Sequence, residues 1–310
     1  MTEKGERGSI VCRKKILLAI CLLLLLPSPL WGSQQSVIET DAVTVLFEEP
    51  MGVAAKEISD IYPPLREEIE GTLGWQLDYR PAVLLIKDRE TFQKMAGSAL
   101  ITAFADPGQR LIVIDYSRMA ANPSILETTL KHELCHLLLH HHIQSANLPK
   151  WLDEGIAQWV SGGMAEIIMN RERFVLNRAV FSGNYIPIRN LARRFPAEQT
   201  ALLMAYEESR DLTEYINKEF GRNRILDILQ CLKEGHTPDE AIQRSLFISL
   251  DELELKWLRD LRKRATWFTY LSVHLYQILF FLGALLTVFA FIKALIRKRN
   301  YRDEDIFPDD

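Results

Sequence analysis

Cysteine is scarce: four occur in 310 residues. Two of them, Cys12 and Cys21, fall in an apolar N-terminal stretch, which leaves Cys135 and Cys231. That density excludes a disulfide scaffold, and two buried thiols are expected. Basic clusters are equally scarce away from the flanks of two apolar runs. With a formal net charge of −4 and no basic face, nucleic-acid binding is not expected. The apolar share (48%) and the charged share (25%) are those of an ordinary globular chain. One or two domains plus membrane elements account for the length.

The two apolar runs lie near the ends. Residues 1–32 read as a signal peptide. Arg13, Lys14 and Lys15 precede an apolar stretch over 16–26, which is too short to cross a bilayer. Pro27, Pro29, Gly32 and Ser33 end it, and cleavage is placed after Gly32. Cys21 does not suit a lipidated cysteine, because Ile20 before it is not small and the apolar run continues past it. The second run, within 267–292, is long enough to span. Trp267, Tyr270 and Tyr276 suit an interface. Arg259, Arg262, Lys263 and Arg264 precede it, and Lys293, Arg297, Lys298 and Arg299 follow, so flanking charge sets no orientation. The leader does. It places residues 33–265 outside the cytoplasmic membrane on a single-pass anchor, with a cytoplasmic tail over 293–310. The acidic end from Tyr301 to Asp310 reads as disordered.

The chemistry concentrates in Lys131-His132-Glu133-Leu134-Cys135-His136. Asn122-Pro123 starts a helix here, with a capping asparagine and proline at the first helical position. Histidines four residues apart project from one helical face, so both imidazoles can reach a single zinc ion at roughly 2.0–2.1 Å. Glu133 lies about 100° further around the helix, beside that ion, where it can take a proton from water. Leu126, Leu130, Leu134, Leu137 and Leu138 make the helix apolar, and polar groups buried there need partners. One zinc ion is such a partner.

A catalytic zinc site takes a third protein ligand. Two candidates compete. His142 has the spacing of a third histidine, but that arrangement needs a helix break, and Leu139 stands where the glycine would be. Glu154, in Trp151-Leu152-Asp153-Glu154-Gly155-Ile156-Ala157, opens a second helix. Asn147, Leu148 and Pro149 make the short connection, which favours an antiparallel neighbour. Glu154 is the favoured ligand.

H-E-x-x-H followed by W-L-x-E-G-x-A resembles the gluzincin metallopeptidases, and the peptidase MA-like group in particular. The resemblance extends over about residues 41–262, including Ala205-Tyr206-Glu207-Glu208-Ser209. It implies His132, His136 and Glu154 as zinc ligands and Glu133 as catalytic base. It also implies a tyrosine that steadies the oxyanion, for which Tyr206 and then Tyr185 are candidates; a packing role for Tyr206 is the plain alternative. Aminopeptidases of the leukotriene-hydrolase type share W-L-N-E-G-x-A, with asparagine where this chain has Asp153. Their G-x-M-E-N segment, which anchors the substrate amine, is absent here. By analogy, the strand over 110–115 is the edge that holds substrate; an ordinary core strand is the equal alternative.

The remaining elements follow from pattern. Strands are expected over 43–47, 82–86 and 111–114. A helix over 53–73 is expected to end or kink at Pro63-Pro64. A short helix covers 90–96, and Gly162-Gly163 break the one carrying Glu154. Residues 164–196 show no clear pattern. Helices follow over 198–220 and 222–233, and Thr237…Glu240 and Ser249…Glu252 read as capping boxes for two more. The expected fold is α+β: a small mixed sheet packed on a zinc-binding helix, then a helical bundle, then a transmembrane helix. The expected function is a membrane-anchored zinc endopeptidase acting on peptide or protein substrates. The alternative is a catalytically silent membrane-bound binding protein on the same fold, which would have no use for Glu133.

Overall fold

The structure, a computed structural model, describes residues 35–97, 100–119, 123–163 and 185–304. The expected signal peptide, the Asn122 cap and the last six residues of the tail lie outside these. The chain divides after Trp257 into a mixed α and β unit and a helical unit.

The first unit begins with β1 (Gln35–Glu39) and β2 (Thr44–Glu48), an antiparallel pair. Then come α1 (Gly52–Leu73), β3 (Ala82–Ile86), α2 (Arg89–Ala96), β4 (Ala103–Asp106), β5 (Leu111–Asp115) and one turn of helix, α3 (Tyr116–Met119). The five strands form one mixed sheet in the order β1-β2-β3-β5-β4. β3 pairs in parallel with both β2 and β5, whereas β4 returns antiparallel on β5. A strand hydrogen-bonded on both edges and covered on both faces should be apolar throughout. Val83, Leu84 and Leu85 of β3 and Ile112, Val113 and Ile114 of β5 are accordingly buried. Leu84 and Val113 meet Phe92 of α2 on one face.

Two expectations change here. First, α1 runs unbroken through Pro63 and Pro64. An interior proline costs about 3 kcal/mol. Against this, Ala55, Ile58, Tyr62, Leu65, Ile69 and Leu73 bury one continuous face, and a buried face stabilises a helix more than propensity does. Second, β5 is an inner strand, hydrogen-bonded to β3 and β4, so residues 110–115 cannot accept an added strand. The edge is β4. Asp115 N donates to Thr102 O at 2.8 Å, and the pairing continues as Phe104 with Val113. Alternation along an antiparallel ladder then turns the backbone groups of Ala103 and Ala105 away from β5.

After the sheet come α4 (Pro123–His142), α5 (Lys150–Ser161), a 3-10 turn (Ile188–Leu191), α6 (Gln199–Phe220), α7 (Arg222–Lys233), α8 (Pro238–Leu246) and α9 (Leu250–Glu304). α4 packs beneath β4 and β5, α5 packs on α4, and α6 packs on α5. The capping box at Thr237 forms with both of its hydrogen bonds. Gly155 explains how closely α5 and α6 approach: a Cβ there would lie 2.1 Å from Thr213 Oγ1 and 2.5 Å from Ser209 O. Cys135 is buried, Cys231 is only half-buried, and both are free thiols. Burial pushes the Cys135 thiol up to about 12, so it stays protonated.

The helical assignment of α9 continues over Tyr301 to Glu304, the first residues of the tail that was expected to be disordered. Among the described residues of the second unit, Leu275–Leu295 is long and apolar enough to cross a membrane, with a mean hydropathy of 2.4.

Candidate metal centre

α4 is helical through Leu139 to His142. His132 and His136 therefore stand one turn apart, with Nε2 atoms 3.2 Å from each other. Glu154 reaches them from α5. Its Oε2 lies 3.4 Å from His132 Nε2 and 3.6 Å from His136 Nε2. All three side chains are buried. His142 faces elsewhere: its ring packs on Trp75, and Nε2 bonds to Gln76 O at 2.8 Å. His141 is paired with Asp78.

Do these atoms suit a metal ion? Ligands at 2.0–2.1 Å around a tetrahedral ion stand about 3.3 Å from one another. The three observed separations, 3.2, 3.4 and 3.6 Å, bracket that value. Glu154 Oε2 is buried and takes no hydrogen bond. Such an oxygen is costly without a cation. Charge points the same way. Glu133, Asp153 and Glu154 line one cavity of about 190 Å³, in which Lys150 is the single lysine or arginine among the described lining residues. With neutral imidazoles, as ligation requires, three carboxylates and one ammonium leave room for a divalent cation. The two nitrogens and one oxygen are a zinc donor set.

A further carboxylate holds this group together. Asp153 Oδ1 lies 2.6 Å from His136 Nδ1, and its Oδ2 lies 3.2 Å from His140 Nε2. Lys150 Nζ sits 2.6 Å from Glu154 Oε1 and 3.4 Å from Asp153 Oδ2. Burial raises the Asp153 carboxyl, but the His136 and Lys150 charges outweigh it and hold the group well below the usual range. For Glu154 burial is again opposed, here by Lys150 first and His136 second, with the same result. Burial lowers the basicity of His136, but the Asp153 and Glu154 charges overcome this and raise it well above its ordinary value.

Glu133 is fully buried and lines the same cavity, one residue along α4 from His132. Tyr206 forms part of the wall, with its ring edge-on to Phe195 at 5.1 Å and its carbonyl accepting from Gln158 Nε2 at 3.1 Å. Tyr185 is not among the described lining residues. Ile101, Phe104, Ala105 and Pro107, from β4 and its ends, make an apolar side.

Residues 96–263, more than half of the chain, match the model of the Peptidase MA superfamily. The chain belongs to that superfamily. Similar solved structures include a mutant form of the M1 zinc metallopeptidase from Deinococcus radiodurans, at 14% identity and a TM-score of 0.41. The unmutated enzyme is 13% identical with a TM-score of 0.41, and the mutant bound to a Tyr-Ser-Ala substrate is 14% identical with a TM-score of 0.37. Each comparison covers 74% of this chain and 51% of the other, so the chain spans about half the length of those proteins. No curated protein matches the chain.

Asp153 and Lys150 are site residues for which no role was expected. Both were in view: Lys150, Asp153 and Glu154 are spaced i, i+3 and i+4, which puts them on one helical face. His140, one turn beyond His136, carried the same signal. β4 was missed because Ala103-Phe104-Ala105-Asp106 is short and has no β-branched residue.

Proposed function

We propose that this chain is a membrane-anchored zinc peptidase that hydrolyses internal peptide bonds, with His132, His136 and Glu154 holding one zinc ion. The observation that carries the reading is the convergence of those three ligand atoms in a cavity that also contains Glu133. Zinc, when bound, supplies Lewis acidity to a peptide carbonyl and to the attacking water. The chain's own residues do the rest. Glu133 accepts a proton from that water on its carboxylate and passes it to the departing amine nitrogen. The Tyr206 hydroxyl donates to the oxygen on which negative charge develops. The outward backbone groups of Ala103 and Ala105 pair with the substrate backbone as an added strand, so recognition is of main chain first. Ile101, Phe104 and Pro107 favour an apolar side chain beside the scissile bond. The missing G-x-M-E-N segment favours an endopeptidase over an aminopeptidase.

The bare apolar surface of Leu275–Leu295 supports a single membrane span. The proposed orientation puts the site outside the cytoplasmic membrane and the C-terminus inside, with the N-terminal leader as its ground. Protease added to intact spheroplasts should digest the domain and spare a C-terminal tag; a protected domain contradicts that orientation. The activity is tested by presenting an unbiased peptide library to the detergent-solubilised chain. Internal cleavage, lost to a chelator and restored by zinc, is expected. No cleavage by a chain loaded with zinc overturns the peptidase reading.

A further inference from the structure

The two oxygens of Glu154 have different surroundings. Oε2 faces the Nε2 atoms of His132 and His136, while Oε1 lies 2.6 Å from Lys150 Nζ. Lys150 stands one helical turn before Glu154, in the first turn of α5, where the helix dipole disfavours a cation. Something must offset that. The offset is a pair of carboxylates: Glu154 at 2.6 Å and Asp153 at 3.4 Å, whose side chains are only 2% and 4% exposed. An ion pair with buried partners is not the loose surface pair that contributes little. The lysine stem starts from a fixed point, because Lys150 N donates to Ala192 O at 2.7 Å. Asp153, in turn, is the group that holds His136 Nδ1.

We propose that Lys150 is a positioning residue of the metal centre: by holding Glu154 Oε1 it presents Oε2 alone to the ion, and by bracing Asp153 it steadies His136. The inference rests on the metal-site reading above. It runs against plain electrostatics. An ammonium this close repels a cation, so on charge alone its removal should tighten metal binding. If Lys150 positions the ligands, its removal weakens binding. The sign of the change separates the two.

The test uses the full chain in detergent, with zinc affinity measured by competition with a chromophoric chelator. Lys150→Met, Lys150→Gln and Lys150→Arg are compared with the parent, and thermal melting checks that each is folded. Removal of a group that orients a metal ligand typically lowers affinity by about 10–100-fold. Lys150→Met is expected to fall in that range, Lys150→Gln to fall less because its amide still donates, and Lys150→Arg to stay close to the parent. Cobalt in place of zinc gives a second readout. Freed from Lys150, both oxygens of Glu154 can ligate, so the visible band of Lys150→Met should shift and that of Lys150→Arg should not. Unchanged or tighter zinc binding in Lys150→Met and Lys150→Gln, with unchanged cobalt bands, overturns the proposal and leaves the metal site standing. A folded parent chain that binds no zinc overturns both.

Discussion

Asp153 on α5 fixes His136 on α4, with Oδ1 and Nδ1 2.6 Å apart. A carboxylate accepting from Nδ1–H selects the tautomer whose Nε2 lone pair is free, and Nε2 is the atom that faces His132 and Glu154. Asp153 is thus the residue through which the packing of two helices becomes the orientation of the His136 ring. Asp153→Ala should weaken zinc binding by about 10–100-fold. Asp153→Asn, which keeps an acceptor but loses the charge, should fall between that variant and the parent. Equilibrium zinc titration checks the order, and parent-like affinity in Asp153→Ala contradicts it.

Gly155 sets the spacing of α5 and α6. An added methyl would meet Thr213 Oγ1 and the Ser209 carbonyl at distances that atoms do not tolerate, and Ser209 O is backbone. The helices must part. Gly155→Ala should destabilise the fold by about 1–3 kcal/mol, the usual cost of overpacking. It should also lower turnover, since Glu154 and Tyr206 lie on opposite sides of that contact. Denaturant unfolding beside a peptidase assay is the measurement. An unchanged midpoint would show that the approach is looser than described.

Glu208 gives a pH signature distinct from the metal site. It is buried, accepts from Ile186 N at 2.9 Å, and leaves Oε2 without a hydrogen bond. Burial raises its carboxyl to about 8, the Ile186 N–H lowers it in part, and Glu254 adds to the rise. Glu254 holds the next amide but one, Ile188 N, at 3.0 Å. The folded chain therefore keeps a proton that the unfolded chain gives up above the ordinary carboxyl value of 4.5. The stabilisation is complete below that value, declines as pH rises, and is lost once pH passes about 8. Glu208→Gln should match the parent near pH 5 and be the more stable near pH 8. Melting curves across that range test it; parallel pH profiles for both chains contradict it.

The parts of this molecule that could be read from sequence are those where one local rule decides. His132 and His136 at i and i+4, Leu139 continuing their helix, and Thr237 with Glu240 as a capping box need only helical geometry. The unread parts depend on partners distant in sequence. Pro63 and Pro64 break the local rule, and only the buried face of α1 explains why the helix persists. Which strand forms the edge beside His136 is a matter of sheet order, and the pattern of Leu111 to Asp115 is the same for an inner strand or an outer one. The pairing of Asp153 with His136 spans 17 positions and needed the angle between α4 and α5. Nothing local to Lys150 marks it; what sets it apart is that its two partners, Asp153 and Glu154, are buried.

The proposed role of Glu133 is in chemistry and not in folding or metal binding. Glu133→Gln removes the carboxylate and keeps the shape. Zinc content and single-turnover cleavage of one library-derived peptide, measured on the same preparation, give the most direct test. The predicted result is about one zinc per chain, as in the parent, with a rate lower by at least about a hundredfold, the usual contribution of a positioned base. Full hydrolysis by Glu133→Gln would contradict the mechanism.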